Sequence, residues 1–562
     1  MGIAELEMLI DKKYQNVRLP HPNRSLAAWH FLIAAEDALR FTLSRSDIST
    51  GSIEFTIDRG KYSLKYGLER IIKESTDNTI ERFPRRVNGS AYERGFELFN
   101  AGLDHSVGCQ ICTSVHNGTV ELQETDAVVS LSVDTEFHHK GYAVLEMLGH
   151  QPDDSISFMQ IIFSLLHNEE NLPFIVEQIS RSIQVKGKLI FYQYESYLAA
   201  DLSLLFSQAP ALIPEDWQFT WGGRLETTLL LNALSIRCAY HFIAIHFGAT
   251  SKGLTGGGCD DLILVIDREV LCSHLELLSS LPMQNIKLFI DALVYGSSVK
   301  SPDPALQPLF PLHKNLLAIS PLHFLSCHME RNLLTLQART DESTFNAMSA
   351  SFERDMIASL MLGLSQEWQN IRPNITWKYK SMKEEFDLLV ADPETRTIMV
   401  CEMKWTIQPG EPREVAQRKK VCSQKVSQVR RKIQWLKPNL SIAIKEMFGI
   451  EAQPDRPWTI FGLVVIEGFG GALSTDNELP IMPAKIFERA MTQVQSLEVM
   501  RTWSRSLAWL PQENSFFEVQ WQELELEGKR IRYEGMSSIL QRPDFLAHID
   551  MTIAAANADL SE

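Results

Sequence analysis

The chain has 562 residues, 45% of them apolar and 22% charged, with a net charge of −16 and a pI near 5.5. That balance is ordinary for a globular protein with a large core and more than one domain; it excludes a wholly basic nucleic-acid coat but leaves room for a local basic groove. Eight cysteines, single apart from Cys109 and Cys112, exclude a dense disulfide framework and suit a reducing cytoplasm, the expected location.

The opening "MGIAELEMLIDKKYQNVRLP" lacks the basic start and apolar run of a signal peptide. No uncharged apolar stretch is long enough for a bilayer, so no membrane partner is expected. "SLAAWHFLIAAEDALRFTLSR" carries apolar residues at helical spacing, with Ser25 as its cap. "DHSVGCQICTSVH" holds His105, Cys109, Cys112 and His116, a C-x2-C with flanking histidines of the sort that binds zinc. However, "ICTSVHNGTVEL" reads as strand, turn and strand, which would scatter the four side chains over two faces. "TVELQETDAVVSLSVDTEF" alternates apolar and polar residues around a polar turn, the pattern of a β-hairpin. Its end, Asp134-x-Glu136, resembles the first acidic motif of ribonuclease D-type exonucleases; the further acidic motifs do not follow, and an exonuclease centred there stands as an alternative.

From about 155 to 296 the pattern is mainly helical, with "KLIFYQYESYLAADLSLLF" and "LETTLLLNALSIRCAYHFIAIHF" as long helices. Between them and the next element lies the glycine-rich "GATSKGLTGGGCDD". Gly248 and Gly253 have the first spacing of a phosphate-binding loop, but Leu254 stands where lysine is required, which excludes that ATPase motif. "YGSSVKSPDPALQP" (295–308) has the composition of a linker and places a domain boundary near 300. Beyond it, "QPLFPL" and "LLAIS" read as short strands around a His-Lys-Asn turn. Helices follow over about 321–339 and 343–364, then strands "NITWKYK", "EFDLLVA" and "RTIMVCEMKW". A basic helix covers about 411–437, and "WTIFGLVVIEGF" is a further strand. A helix lies within 484–509, and a last hairpin turns at Gly528.

The chemistry concentrates in "EEFDLLVADPETRTIMVCEMKW", Glu384 to Trp405. "DPET" is a turn signal with proline at its second position. Asp387 lies five residues before that turn and Glu402 seven after it, which brings the two near each other across an antiparallel pair. Alternation puts Glu402 and Lys404 on the face of Ile398 and Val400, while Met399, Cys401 and Met403 line the other. With both faces apolar, the strand is central, and its charged end is costly to bury without a partner. Two carboxylates converging there make an oxygen site for a hard divalent cation, Mg²⁺ or Mn²⁺.

The order helix with glutamate, strand, strand with Asp, strand with Glu-x-Lys, helix, parallel strand resembles the PD-(D/E)xK nuclease superfamily over about 340–470. Phe386 stands where many members have proline. The resemblance implies a restriction-endonuclease-like mixed sheet flanked by helices, so the fold class is α/β with an α+β N-terminal part. Residues 1–300 form a mixed, largely helical domain for specificity, regulation, self-association or a partner protein, and 301–562 the nuclease domain. It further implies a Mg²⁺-dependent endodeoxyribonuclease, a bacterial defence or mobile-element effector by analogy. Asp387, Glu402 and Glu353 would be metal ligands, and Lys404 and Gln428 catalytic residues. Ten Lys/Arg against two acids lie between 404 and 437, so Lys425, Lys419, Lys420, Arg430 and Arg431 are the expected nucleic-acid contacts, with DNA preferred over RNA. The alternative in a different class is a non-cleaving nucleic-acid-binding or scaffold protein that keeps the same core.

Overall fold

The computed structural model describes residues 2–43, 50–77, 80, 82–84, 86–118, 120–125, 128–133, 140–142, 144–145, 174–186, 189–204, 212–251, 260–407, 409, 412–451, 456–467, 478–526, 528–538 and 542–559. Asp134, Glu136, Gly253, Leu254 and the stretch 146–173 lie outside the described residues.

The chain begins with helices Ile3–Gln15, Arg24–Leu43, Thr50–Glu74 and Gly89–His116, packed against one another. The second is capped by the Asn23 side chain, which accepts from the Leu26 N–H at 3.1 Å, rather than by Ser25. The fourth runs straight through "ICTSVH", so the predicted strand there is a helix. Its His105, Cys109, Cys112 and His116 fall on one helical stripe rather than two sheet faces. At 1.5 Å per residue the outer two lie roughly 16 Å apart along the axis, too far for one ion. His105 instead stacks on Tyr14 and bonds Asp11 at 3.1 Å, and His116 bonds Glu7 at 2.7 Å, so both histidines dock the first helix.

The predicted hairpin forms as β1 (Val120–Thr125) and β2 (Val128–Val133). "KLIFYQYESYLAADLSLLF" is not one helix. After β3 (Gln184–Lys186) come β4 (Leu189–Phe191) and a helix Ser196–Ser203, because the β-branched and aromatic start pairs with β3. β5 (Gln218–Phe219) and β6 (Gly222–Gly223) lead into the helix Arg224–Ser251. Its segment Arg224–Phe247 is long and apolar enough to cross a membrane, yet 78% of the apolar window is buried inside the protein.

The boundary predicted near 300 divides nothing. β7 (Leu264–Asp267), before it, pairs with β9 (Leu316–Ile319), after it, and β8 (Phe310–Pro311) completes the three-stranded sheet. Leu293, Leu309, Leu317 and Phe352 share one apolar core. The buried Gln307 amide donates to the carbonyls of Ala292 and Ser297, which ties the linker-like stretch into the fold. The Ser/Pro composition there marks turns and not separation. The predicted helix 321–339 is two, Pro321–Leu325 and Met329–Thr340. The first is joined to the N-terminal bundle by the fully buried Glu36, whose carboxylate accepts from the Ser320 hydroxyl and the Leu322 N–H.

After the helix Glu342–Glu367 comes a five-stranded mixed sheet in the order β10-β11-β12-β13-β14, as expected of an α/β arrangement following a largely helical region. β10 (Ile371–Tyr379), β11 (Met382–Asp392) and β12 (Thr397–Trp405) are antiparallel neighbours, whereas β13 (Thr459–Glu467) and β14 (Ile481–Pro483) run parallel to β12. The turn between β11 and β12 is closed by Asp392, whose carboxylate accepts from Glu394 N–H and the Thr395 hydroxyl. β12 is the central strand and is buried throughout except at Lys404. The helix Pro412–Leu436 crosses from β12 to β13 and lies on the sheet, followed by the helix Leu440–Phe448. The helices Ala484–Met491 and Leu497–Ser506 pack in a second core with Met399, Cys401 and Met403. β15 (Phe517–Leu526) and β16 (Lys529–Ser538) form the last hairpin, and β16 pairs in parallel with β2, so the first and last hairpins share a four-stranded sheet. A final helix spans Arg542–Asp559.

Gly462 sets how close the crossing helix comes. A Cβ at that position would lie 2.2 Å from Val429 Cγ1 and 2.8 Å from Ile433 Cδ1. Gly462→Ala is therefore expected to push the helix off the sheet and to destabilise the fold by roughly 1–3 kcal/mol, seen as a lower urea midpoint. Glu36 carries a second expectation. Burial lifts its carboxyl from near 4.5 to about 7, against the pull of Arg40. The folded state thus favours the protonated acid, so this stabilisation is complete below the ordinary carboxylate range and is lost as pH rises through about 7. Relative to Glu36→Gln, the native protein should lose on the order of 3 kcal/mol between pH 4 and 8 in urea unfolding.

Candidate functional site

The β11–β12 ladder ends at the pair Leu388–Cys401, and the next position brings Asp387 opposite Glu402. There the Asp387 carboxylate takes over from the backbone: its Oδ2 accepts the Met403 N–H at 2.8 Å. Glu402 is 1% exposed. Its pKa is raised, first by burial and then by the charge of Asp387 beside it. A carboxylate in that position needs cations, and the crossing helix supplies two. Lys425 Nζ lies 3.2 Å from Asp387 Oδ2 and 3.2 Å from Glu402 Oε2, bridging the two acids. Lys432, itself buried, donates to the other oxygen, Glu402 Oε1. Burial opposes the charge on Lys425, but the two carboxylates outweigh it and its pKa is raised. Lys425 and Lys432 are seven residues apart, two helical turns on one face, so one register of the helix delivers both amines.

Lys404 lies two residues beyond Glu402, about 7 Å along the same strand face. Its amine donates to Glu353 Oε1 on the helix Glu342–Glu367. The neighbouring pair explains the placement: Trp405 stacks flat on Phe352, with ring centroids 3.7 Å apart, which holds the helix against the end of β12. Four of the expected residues, Asp387, Glu402, Lys404 and Glu353, thus gather at one strand end as two adjacent ion-paired units, with Lys425 between the acids.

Other expectations fare differently. Glu353 pairs with Lys404 rather than joining the acid pair, and among the described residues no three His, Cys, Asp or Glu side chains converge as a metal cluster. Gln428 is half-buried on the crossing helix and does not join the ion-paired cluster. Lys419, Lys420, Arg430 and Arg431 lie more than a quarter-turn away from Lys425 around the helix, toward its solvent side. Lys420, Arg430 and Arg431 are exposed there, and Arg431 bonds Glu384 at 2.8 Å. The basic stretch is therefore split: Lys425 and Lys432 face the acids, Arg418 donates to the Ile407 carbonyl, and Lys420, Arg430 and Arg431 are exposed. Trp435 packs against Trp377 and Phe386. Lys432 is the residue whose role the composition hid. Its signal was present in its position seven after Lys425, on the stripe of Val429 and Leu436.

Two carboxylate oxygens that already share one cation, from adjacent strands at a dry strand end, form a donor set that fits a hard divalent ion. Compared with protein-family models, with curated proteins and with solved structures, the chain shows no match.

Removing Lys432 leaves Glu402 buried and under-compensated. Lys432→Met should destabilise the protein by on the order of 3 kcal/mol in urea unfolding, and adding Glu402→Gln to it should recover most of that loss.

Proposed function

We propose that the chain is a divalent-metal-dependent nuclease of the PD-(D/E)xK kind that hydrolyses phosphodiester bonds, with DNA as its substrate. The observation that carries this reading is the convergence of Asp387 Oδ2 and Glu402 Oε2 on one cation, with the Lys404–Glu353 pair next along the strand. Asp387 and Glu402 would hold Mg²⁺ or Mn²⁺, which when bound supplies charge stabilisation at a phosphoryl oxygen. Lys404, two residues along from Glu402 and paired with Glu353, would orient an attacking water and neutralise charge gathering on the phosphate. Glu353 fixes that amine and so acts as a positioning residue. The exposed Lys420 and Arg430 on the far side of the helix suit contacts with the phosphate backbone away from the scissile bond.

A second reading is favoured by one observation: both acids are already neutralised by lysines, as in a core that has exchanged its metal for internal ion pairs. The purified protein, assayed with linear and circular DNA and with RNA in Mg²⁺ or Mn²⁺, separates the two. Cutting that disappears in EDTA and falls by at least about a hundredfold in Lys404→Met, with DNA binding retained, is the expected result. Metal-independent cutting, or cutting that survives Lys404→Met, removes the assignment, and no cutting of any substrate favours the binding protein.

A further inference from the structure

We infer that Lys425 is an internal stand-in for the metal: its ammonium latches Asp387 and Glu402 together, and a divalent cation enters only by displacing it. This rests on the acid pair being the metal site of the proposed nuclease.

The geometry makes the two occupants compete. Lys425 Nζ sits 3.2 Å from both Asp387 Oδ2 and Glu402 Oε2. A divalent ion held by Asp387 and Glu402 would draw on the same carboxylate oxygens that the ammonium already occupies. Alternative oxygens are few. On Glu402 the second oxygen, Oε1, is engaged by Lys432, and the shared Asp387 Oδ2 is held in place by the Met403 N–H. Charge points the same way. Asp387, Glu402, Lys425 and Lys432 sum to zero when all are ionised, so a dication added to the intact quartet leaves two uncompensated positive charges in a largely dry site. Expelling Lys425 halves that excess.

The two lysines are not equivalent. The Lys432 side chain is 6% exposed and sits at the deep end of Glu402, whereas that of Lys425 is 16% exposed and sits toward the acid at the rim, whose own side chain is 22% exposed. Lys432 is the permanent counter-charge. Lys425, on a flexible four-carbon stem, can swing outward without unfolding the helix and carry its charge to the mouth, where an incoming phosphate would meet it. The latch keeps two acids from repelling each other in the metal-free protein and makes the site fall silent without unfolding.

Binding of Mn²⁺ to the full chain, measured by calorimetry, tests this with no cleavage readout. Lys425→Met removes the competitor and is expected to bind Mn²⁺ roughly tenfold or more tightly than the native protein, because the competent state is no longer a minor fraction. In the unmodified protein, Mn²⁺ should raise the acetylation rate of Lys425, read by peptide mass spectrometry, and leave that of Lys432 unchanged; this arm does not depend on the variant folding. Equal or weaker binding by Lys425→Met, or an unchanged Lys425 reactivity while Mn²⁺ binds, overturns the latch and leaves the nuclease reading standing. Mn²⁺ binding that is absent, or indifferent to Glu402→Gln, overturns both. Displacement as expected without cleavage of any nucleic acid supports the latch and removes the nuclease.

Discussion

Glu402 is a charge at the end of the most buried strand in the sheet, and much of the C-terminal architecture follows from having to neutralise it. The strand carries apolar side chains on both faces up to that residue, so water is not available to solvate the carboxylate. The helix Pro412–Leu436 has to return over the strand at a height where two lysine amines can reach the same acid. Gly462 on β13 permits that approach, because Val429 and Ile433 occupy the space a side chain would need. Asp387 then adds a second negative charge, which Lys425 spans. Strand, helix and glycine are thus mutually dependent, and the ion pairs tie the helix to its register as well as satisfying a charge.

The largely helical first part of the chain is built into this arrangement rather than appended to it. Trp217 packs on Phe352 at a centroid distance of 4.8 Å, and Phe352 in turn stacks on Trp405, so the helix that carries Glu353 is held from two sides. Glu414, in the first turn of the basic helix, bonds Arg331 at 2.6 Å and Arg339 at 3.5 Å. Anything that shifts the helix Met329–Thr340 therefore bears on the helix that delivers Lys425 and Lys432. These half-buried ion pairs join the helix Met329–Thr340 to the start of the basic helix.

The site motif was legible because it depends on local rules. A Pro-containing turn fixes the register of β11 against β12, period-two alternation assigns the faces, and the order of elements can be counted. Misreadings arose where local pattern is ambiguous. The run "ICTSVH" alternates well enough for a strand, yet it continues a long helix whose apolar stripe packs on Ile3–Gln15. "KLIFYQY" has both helical and strand spacing, and pairing with β3 decides for the strand. The Ser/Pro stretch near 300 has the composition of a linker, but it is closed by backbone bonds from Tyr295 to Leu309 and from Leu309 to Leu293, both leucines inside a shared core.

By itself the sequence determined that a charged strand end would be buried, which residues would stand there, and that Asp387 and Glu402 would lie near each other, since turn chemistry and strand periodicity act over a few residues. Only the tertiary structure decided what meets those charges. Which of ten cations on and around a helix reaches the acids depends on the helix's rotation and height over the sheet. Those are set by packing against residues far away in the chain, and no spacing within the helix records them.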